Sequence, residues 1–376
     1  MTELPQSEVE ALVPEGSNDE QMPTRRFSRR HAFLAGFFVL TVVVFLYFGL
    51  PQIAGINQTW NRIQDGDPKW LIACAIFEVI SFGGYVWLFR GVFVRGSKRI
   101  GWAVSYQITM AGLVAARLFA AAGAGGAILT AWALRRSGMP TRTVATRMIA
   151  QYVILYAVYM FTLLIAGVGL YVGAFNGSKE FALTMVPAII GGTAILLSLA
   201  FTLLPEQIDR RVEQWAKESG RVGRVVARLA TVPDTVAVGV REALMIFRER
   251  DGAVFGAVIW WYFDIFTLWA AFHAFGDPPP FAVLVMAYFV GMFANLLPLP
   301  GGVGGVEGGM IGVLIAFGVP GSLAIVAVLS YRAFSFWLPT IPGAIAYFQL
   351  RRTVQGWRDE ANDPAATLYK VKSPAT

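Results

Sequence analysis

A stretch of prolines and glycines lies inside one of the most apolar parts of this chain. It runs from Asn295 to Pro320, includes Pro298 and Pro300, and contains a single acid, Glu307. Proline and clustered glycine interrupt a straight helix. Irregular backbone exposed to hydrocarbon leaves its N–H and C=O groups unpaired, so this segment must be buried in protein or line a wet cavity. An acid at that depth is a candidate functional residue.

The composition indicates a polytopic membrane protein. Of the 376 residues, 56% are hydrophobic and 15% are charged, whereas soluble domains carry about 25% charged residues. Several apolar runs exceed the roughly 20 residues that span a bilayer. One cysteine excludes an intrachain disulfide and two histidines leave little for a zinc site, so we expect neither metal nor cofactor. The net charge of +7 fits basic cytoplasmic loops better than a nucleic-acid surface, so no nucleic-acid partner is expected.

Basic residues beside the apolar runs predict the orientation of the chain. We expect a disordered cytoplasmic tail over 1–24, an integral membrane domain over 25–350 and a cytoplasmic tail over 351–376, with both termini cytoplasmic. Spans are predicted at about 32–50, 69–89, 148–172, 182–204, 253–275 and 322–349. In the cytoplasmic segment 205–252, bases at helical spacing predict an amphipathic helix that binds anionic lipid headgroups, and a solvated linker is the alternative.

Two further apolar stretches do not fit a single crossing. The stretch 101–134 has arginines at both ends, and one crossing would place one group outside, so we predict that it enters from the cytoplasm and returns. The stretch 281–320 must begin and end outside, because Arg351 and Arg352 follow the last span. The sequence therefore predicts two re-entrant helix pairs that open to opposite faces.

The two predicted pairs share a short pattern. Gly123-Ala-Gly-Gly126 resembles Gly302-Val-Gly-Gly305, and each is followed by Gly-x-Pro after 11 and 12 intervening residues, respectively. The spans around the second pair run in the reverse direction of those around the first. Inverted repeats with broken helices are a transporter design that places the substrate site near the midplane. We predict an all-α polytopic membrane protein with two inverted-topology repeats, each with a re-entrant helix pair, plus extra spans.

Five ionisable residues are predicted at membrane depth: Glu78, Arg117, Asp264, Glu307 and Arg332. An anionic headgroup could bind Arg117 or Arg332 and the N–H groups that begin the second half-helix, and Glu307 could neutralise an arginine or carry a proton. The alternative is that these residues only pair with one another; Glu78 and Asp264 are assigned to coupling or helix pairing. The predicted substrate-binding residues are Arg117, Gly125, Gly126, Asn295, Pro300, Gly301, Gly302, Gly304, Glu307 and Arg332.

The motif Asn295-Leu-Leu-Pro-Leu-Pro-Gly-Gly-Val-Gly-Gly-Val-Glu307 resembles the signature of the lysylphosphatidylglycerol synthase transmembrane-domain family, also called flippase-like. Asp264, Tyr331-Arg332 and the stretch 117–136 support this resemblance, which covers roughly 30–350. It implies movement of lipids or lipid-linked sugars between the leaflets of a prokaryotic plasma (inner) membrane. In the namesakes, a cytoplasmic synthase domain attaches an amino acid to phosphatidylglycerol; only about 25 residues follow Arg351, so we expect no such domain here.

These observations favour a lipid transporter or flippase without enzyme activity, which moves a phospholipid or a lipid-linked glycan between leaflets. Two alternatives stay open. A membrane glycosyl- or phosphotransferase acting on a polyprenyl lipid would need a carboxylate pair at one membrane face. A scaffold would bind a separately encoded lipid-modifying enzyme. Association with a second copy of the chain as a homodimer also stays open.

Overall fold

The computed structural model describes residues 66–94, 99–118, 124–202, 238–249, 252–296 and 302–362. In chain order, the helices in these ranges are α1 Pro68–Phe93, α2 Trp102–Leu118, α3 Ala124–Arg136, α4 Thr141–Tyr171, α5 Phe181–Thr202, α6 238–248, α7 Ala253–Phe275, α8 Phe281–Met292, α9 Gly305–Ala316, α10 Gly321–Arg332 and α11 Thr340–Asn362. A 3₁₀ turn, Phe293–Leu296, follows α8, and a π-helical turn, Ala333–Trp337, joins α10 to α11. The predicted tail 1–24, the span 32–50 and most of the loop 205–252 lie outside the described residues.

Five stretches of helix in the described ranges are long and apolar enough to cross a membrane: Pro68–Phe93, Thr141–Tyr171, Phe181–Ala200, Val254–Phe275 and Gly321–Asp359. They correspond to the predicted spans between 69 and 349. Large apolar side chains such as Leu196 and Phe348, 69% and 62% exposed, lie on the outer surface, where lipid would cover them. The prediction of an all-α polytopic membrane protein is confirmed.

The last helix continues beyond the predicted end of its span. The apolar part ends near Leu350, but α11 runs on to Asn362. Val354 is buried and Trp357 packs against the same core cluster, while Arg351 and Arg352 are exposed. This extension is amphipathic, and one apolar face therefore holds it on the bundle after the hydrophobic run has ended.

Helices α1 and α7 pack most extensively of all the described elements. A Cβ atom added to Gly84 would lie 2.8 Å from the carbonyl oxygen of Gly256, and one added to Gly256 would lie 2.7 Å from that of Gly84. Only a hydrogen at both positions allows the two backbones to approach so closely, as is usual where membrane helices cross. The two predicted repeats therefore meet along α1 and α7.

We expect Gly84→Ala to destabilise this crossing. Its new methyl group would lie 2.6 Å from Cγ2 of Ile259, and overpacking of this kind costs about 1–3 kcal/mol. Gly83→Ala is the matched control, because a Cβ atom there meets nothing within 4 Å. Thermal denaturation in detergent should give a lower midpoint for Gly84→Ala only; equal midpoints would contradict the close crossing.

Each predicted re-entrant stretch consists of two short helices that pack on each other. Helix α2 packs on α3, with Gly112 against Gly126, and α8 packs on α9. A Cβ atom at Gly291 would lie 2.9 Å from the backbone nitrogen of Met310. Glycine thus permits the close approach in both hairpins, which we call the first (α2–α3) and the second (α8–α9) hairpin.

Each hairpin also packs on the last span of the other predicted repeat. Helix α2 packs on α11, where a Cβ atom at Gly343 would lie 3.0 Å from the carbonyl oxygen of Met110. Helix α8 packs on α4, where the hydroxyl of Tyr159 donates to the carbonyl oxygen of Phe289. This exchange is the pattern expected of two related halves around a shared centre. The inverted topology and the depth of the hairpins in a membrane remain predictions.

Candidate functional site

A cavity of about 700 Å³ is lined by residues from both hairpins and from α1, α4, α7 and α10. Its volume lies within the range of about 300–1,000 Å³ that is usual for small-molecule sites. Charged side chains contribute to the lining, and so do several tyrosines and tryptophans. A cavity with both kinds of wall can hold a charged group together with a flat or apolar one.

Glu307 and Arg332 form a buried ion pair that joins α9 to α10. Nε of Arg332 donates to Oε1 of Glu307 at 2.7 Å, and the two residues are 5% and 2% exposed, respectively. Oε2 of Glu307 accepts a hydrogen bond of 2.7 Å from the backbone N–H of Gly304. Because Glu307 is the third residue of α9, its side chain reaches back to the residue that caps the helix. Both carboxylate oxygens are therefore occupied.

These contacts bear on the two roles predicted for Glu307, which are to neutralise an arginine or to carry a proton. A carboxylate in the first turn satisfies one of the unpaired N–H groups at the start of α9, and it places negative charge where an anion would bind. The same carboxylate neutralises Arg332. Of the two roles considered, pairing and helix tethering fit the described contacts directly, whereas proton carriage by Glu307 stays a prediction.

Arg117, at the end of α2, reaches the π-helical turn between α10 and α11. Its Nη2 donates to the carbonyl oxygen of Ser335 at 2.8 Å, and its Nη1 donates to the carbonyl oxygen of Phe336 and, at 3.0 Å, to the hydroxyl of Thr340. In a regular helix the N–H of residue 339 would bond to Ser335, but Pro339 has none. Arg117 thus supplies the donor that this proline removes.

Arg117 differs from Arg332 in its counter-charge. Among the residues that the structure describes, no carboxylate lies within the 4.0 Å of an ion pair with Arg117. Both guanidinium groups contact the ring of Phe336, at 4.6 Å and 4.4 Å from its centroid. Arg117 is only partly buried and lines the cavity. It is therefore the better placed of the two arginines to bind an anion there.

Two further acids, Glu78 on α1 and Asp264 on α7, line the same cavity. They are 3% and 6% exposed. Oδ2 of Asp264 accepts hydrogen bonds from the hydroxyl groups of Tyr288 and, at 3.1 Å, Tyr331. Oδ1 of Asp264 has no hydrogen-bond partner among the described residues. The side chains of α7, α8 and α10 thus converge on one acid.

The structure brings many of the predicted site residues to the cavity, but not all of them. The predicted residues that line it are Glu78, Arg117, Gly126, Asp264, Asn295, Gly302 and Arg332. Gly125, Gly304 and Glu307 are described but do not line it. Pro300 and Gly301 lie outside the described residues. The binding role of each residue stays a prediction.

Sequence reasoning missed the aromatic part of the lining. Tyr152, Tyr156 and Tyr159 follow one another at helical spacing on α4 and all reach the cavity, as do Trp260 and Trp261. The ring of Tyr159 lies 5.4 Å from that of Trp261. A tyrosine stripe of period three to four in a membrane span is a signal that could have been used, since it places three hydroxyl groups on one helix face.

The fold and the cavity define an all-α integral membrane protein with a charged and aromatic internal site. The chain belongs to the family described as "Lysylphosphatidylglycerol synthase TM region", which matches residues 33–343. That range includes both hairpins and the cavity residues described above.

The chain is also similar to UPF0104 membrane proteins of archaea. One match, from Methanothermobacter thermautotrophicus, is 28% identical over 189 residues and covers 46% of this chain and 57% of the relative, so it spans little more than half the relative's length. Another from that organism is 23% identical over 334 residues, 83% of this chain and 95% of the relative. A match from Methanocaldococcus jannaschii is 29% identical over 119 residues, 30% of this chain and 35% of the relative. No solved structure matches the chain.

Proposed function

We propose that this protein moves a lipid with an anionic headgroup, a phospholipid or a lipid-linked glycan, between membrane leaflets, and that it does so without enzyme activity. The observation that carries the proposal is Arg117, which lines the cavity and has no carboxylate in ion-pair contact among the described residues. The family supports the substrate class, because its name refers to a lipid derived from phosphatidylglycerol, whose headgroup contains a phosphate.

A phosphate in the cavity would bind Arg117 through charge-assisted hydrogen bonds, which are about twice as strong as neutral ones. The nearby Arg332 also lines the cavity, but its charge is neutralised by Glu307. Aromatic rings such as Tyr156 and Trp260 can pack against a glycerol or sugar unit. The cavity would hold the headgroup, and the acyl chains would stay in the surrounding lipid.

The proposed movement follows from the packing of the two halves. Rocking of one half against the other along α1 and α7 would open the cavity to one face and then to the other. Each hairpin packs on the last span of the other half, so such a rotation would move both hairpins together. We propose a plasma-membrane location with both termini in the cytoplasm, on the basis of the basic residues beside the spans.

The test is a leaflet-exchange assay with purified protein in liposomes. Headgroup-labelled phosphatidylglycerol and a membrane-impermeant quencher report how much label changes leaflet, with protein-free liposomes as the baseline. We expect label to move faster with protein. If no anionic, zwitterionic or glycosylated lipid moves, the proposal falls. Turnover of a polyprenyl-linked donor would then support a transferase, and stoichiometric copurification with a soluble enzyme would support a scaffold.

Two neighbouring residues provide a matched pair of variants. Ala127 lines the cavity, whereas the next residue, Ile128, is 54% exposed on the outer surface of α3. Ala127→Phe is expected to fill part of the cavity and abolish most of the movement, and Ile128→Phe is expected to leave it unchanged. The same assay measures both, and equal rates would show that lipid does not pass through this cavity.

A further inference from the structure

Glu78 and Asp264 form a pair of buried acids on neighbouring helices. Both line the cavity, and Oε2 of Glu78 lies 3.2 Å from the hydroxyl of Thr267, which follows Asp264 by one turn of α7. The two carboxylates are therefore close enough for their charges to interact. Two adjacent carboxylates in a medium of low dielectric constant repel each other strongly, so one of them binds a proton unless a cation compensates it. The pair is best considered as one titrating unit.

The contacts of Thr267 fit a proton on Glu78. Its hydroxyl oxygen is 3.2 Å from Oε2 of Glu78 and 3.0 Å from the carbonyl oxygen of Phe263. A hydroxyl has one proton and can donate to only one of these acceptors. If it donates to Phe263, one turn back on the same helix, the contact with Glu78 is a hydrogen bond only when Glu78 is protonated and donates.

The second acid has room for another proton. Two tyrosine hydroxyls donate to Oδ2 of Asp264, while Oδ1 is buried without a partner among the described residues. A proton at Oδ1 would leave both tyrosine contacts intact. A second proton can therefore bind to the pair without the loss of either tyrosine hydrogen bond.

The formal charges of the pair and of the groups around it sum to zero when the pair holds one proton. Arg117 faces it from α2, Arg332 and Tyr331 from α10, and Tyr288 from α8. The lining residues of α4 include tyrosines and a glutamine but no charged side chain. Arg332 is paired with Glu307. Two arginines then face two ionised acids, Glu307 and one member of the pair, so the described part of the site is neutral when the cavity is empty.

An anionic headgroup at Arg117 would add one negative charge to this neutral, buried group. We propose that the Glu78–Asp264 pair is a proton-binding site that takes up a second proton when an anionic headgroup enters the cavity. The link to the headgroup rests on the proposed function, whereas the buried proton site does not. Release of that proton on the other side of the membrane would let a proton gradient drive net lipid movement.

A first experiment detects the protonated pair without any transport. Dicyclohexylcarbodiimide reacts with protonated carboxyl groups in apolar surroundings, and peptide mapping by mass spectrometry locates the label. We expect label on Glu78 or Asp264, and less of it as the pH is raised. Glu307, whose two carboxylate oxygens accept hydrogen bonds from Arg332 and Gly304, is the internal control and should stay unlabelled. Absence of label on both acids, or protection by sodium ions instead of by raised pH, would overturn the proton site.

A second experiment measures the link to the headgroup. Dihexanoyl phosphatidylglycerol is titrated onto purified protein, and quenching of the cavity residues Trp260 and Trp261 reports binding. Uptake of one proton makes the affinity rise about tenfold for each unit by which the pH falls. The phosphate diester of the probe does not titrate near neutral pH, so a dependence of the affinity on pH must come from the protein.

The double variant Glu78→Gln, Asp264→Asn is expected to bind the same probe with no dependence on pH. Both substitutions keep the shape and the neutral charge of the protonated side chains, so the variant mimics the pair with two protons bound. A wild-type affinity that is flat with pH would overturn the coupling. Label without lipid movement would leave the proton site standing and remove the proposed function. Lipid movement without label would leave the proposed function standing and remove the proton site.

Discussion

Glu307→Gln is expected to lower the free energy of unfolding by about 3–5 kcal/mol, the usual cost of removing one partner of a buried ion pair. The substitution leaves the guanidinium of Arg332, which is 5% exposed, without its counter-charge. It also replaces the carboxylate that accepts from the N–H of Gly304. Reversible unfolding of purified protein in detergent, followed by circular dichroism, measures the change.

Two comparisons separate this effect from a general sensitivity to substitution. The double variant Glu307→Gln, Arg332→Gln removes both charges, so it should lose less stability than the sum of the single variants. Glu242→Gln makes the same change in the pair that Glu242 forms with Arg147 at 3.7 Å, where both side chains are partly exposed. That pair is worth at most about 1 kcal/mol. Similar losses in Glu307→Gln and Glu242→Gln would contradict the importance of burial.

The spans could be predicted from the sequence because each is a continuous run of apolar residues. A run of about 20 apolar residues must cross or enter the bilayer, and the basic residues at its ends fix its direction. The same rule predicted that 101–134 and 281–320 are helix pairs, and the structure has two packed helices in each. The end of α11 was not predictable from hydropathy, because its amphipathic extension is held by packing at Val354.

The contact partners of the charged residues were harder to predict from the sequence. Membrane depth identified Glu307 and Arg332 as candidates, but two arginines were available to the acid, and only the packing of α9 on α10 selects Arg332. The contact between Arg117 and Ser335 depends on a missing donor at Pro339 and on the packing of α2 near the π-helical turn. The two residues of this contact are 218 positions apart, and periodicity carries no information about such a pairing.

The proposed preference of the site for anions rests on the difference between the two arginines. Arg332 is neutralised by an acid on the neighbouring helix, whereas Arg117 bonds to backbone carbonyls, which carry no net charge. Arg117 is only partly buried and its hydrogen bonds go to neutral groups, so its charge attracts an anion in the cavity more directly than that of Arg332, which bonds to a carboxylate. The cavity would therefore bind anionic headgroups in preference to neutral ones, and this preference should depend on Arg117.

Arg117→Gln is accordingly expected to slow lipid movement roughly 10- to 100-fold, because hydrogen bonds to a charged group contribute about 1.5–3 kcal/mol and each 1.4 kcal/mol is a factor of ten. Glutamine can still donate to one carbonyl oxygen, so the variant should fold. The liposome assay with headgroup-labelled phosphatidylglycerol measures the rate, and the thermal midpoint in detergent checks that the fold is retained.

Arg117→Lys separates the charge of this residue from its role in the π-helical turn. Lysine keeps the positive charge but lacks the planar fork that bonds to Ser335 and Phe336 together. Both variants therefore weaken the contact with the turn, and only the glutamine removes the charge. If Arg117 acts by binding the headgroup, the lysine variant moves lipid faster than the glutamine variant at similar stability. Equal rates in the two variants would show that Arg117 only supports the turn, because loss of the charge would then have made no difference.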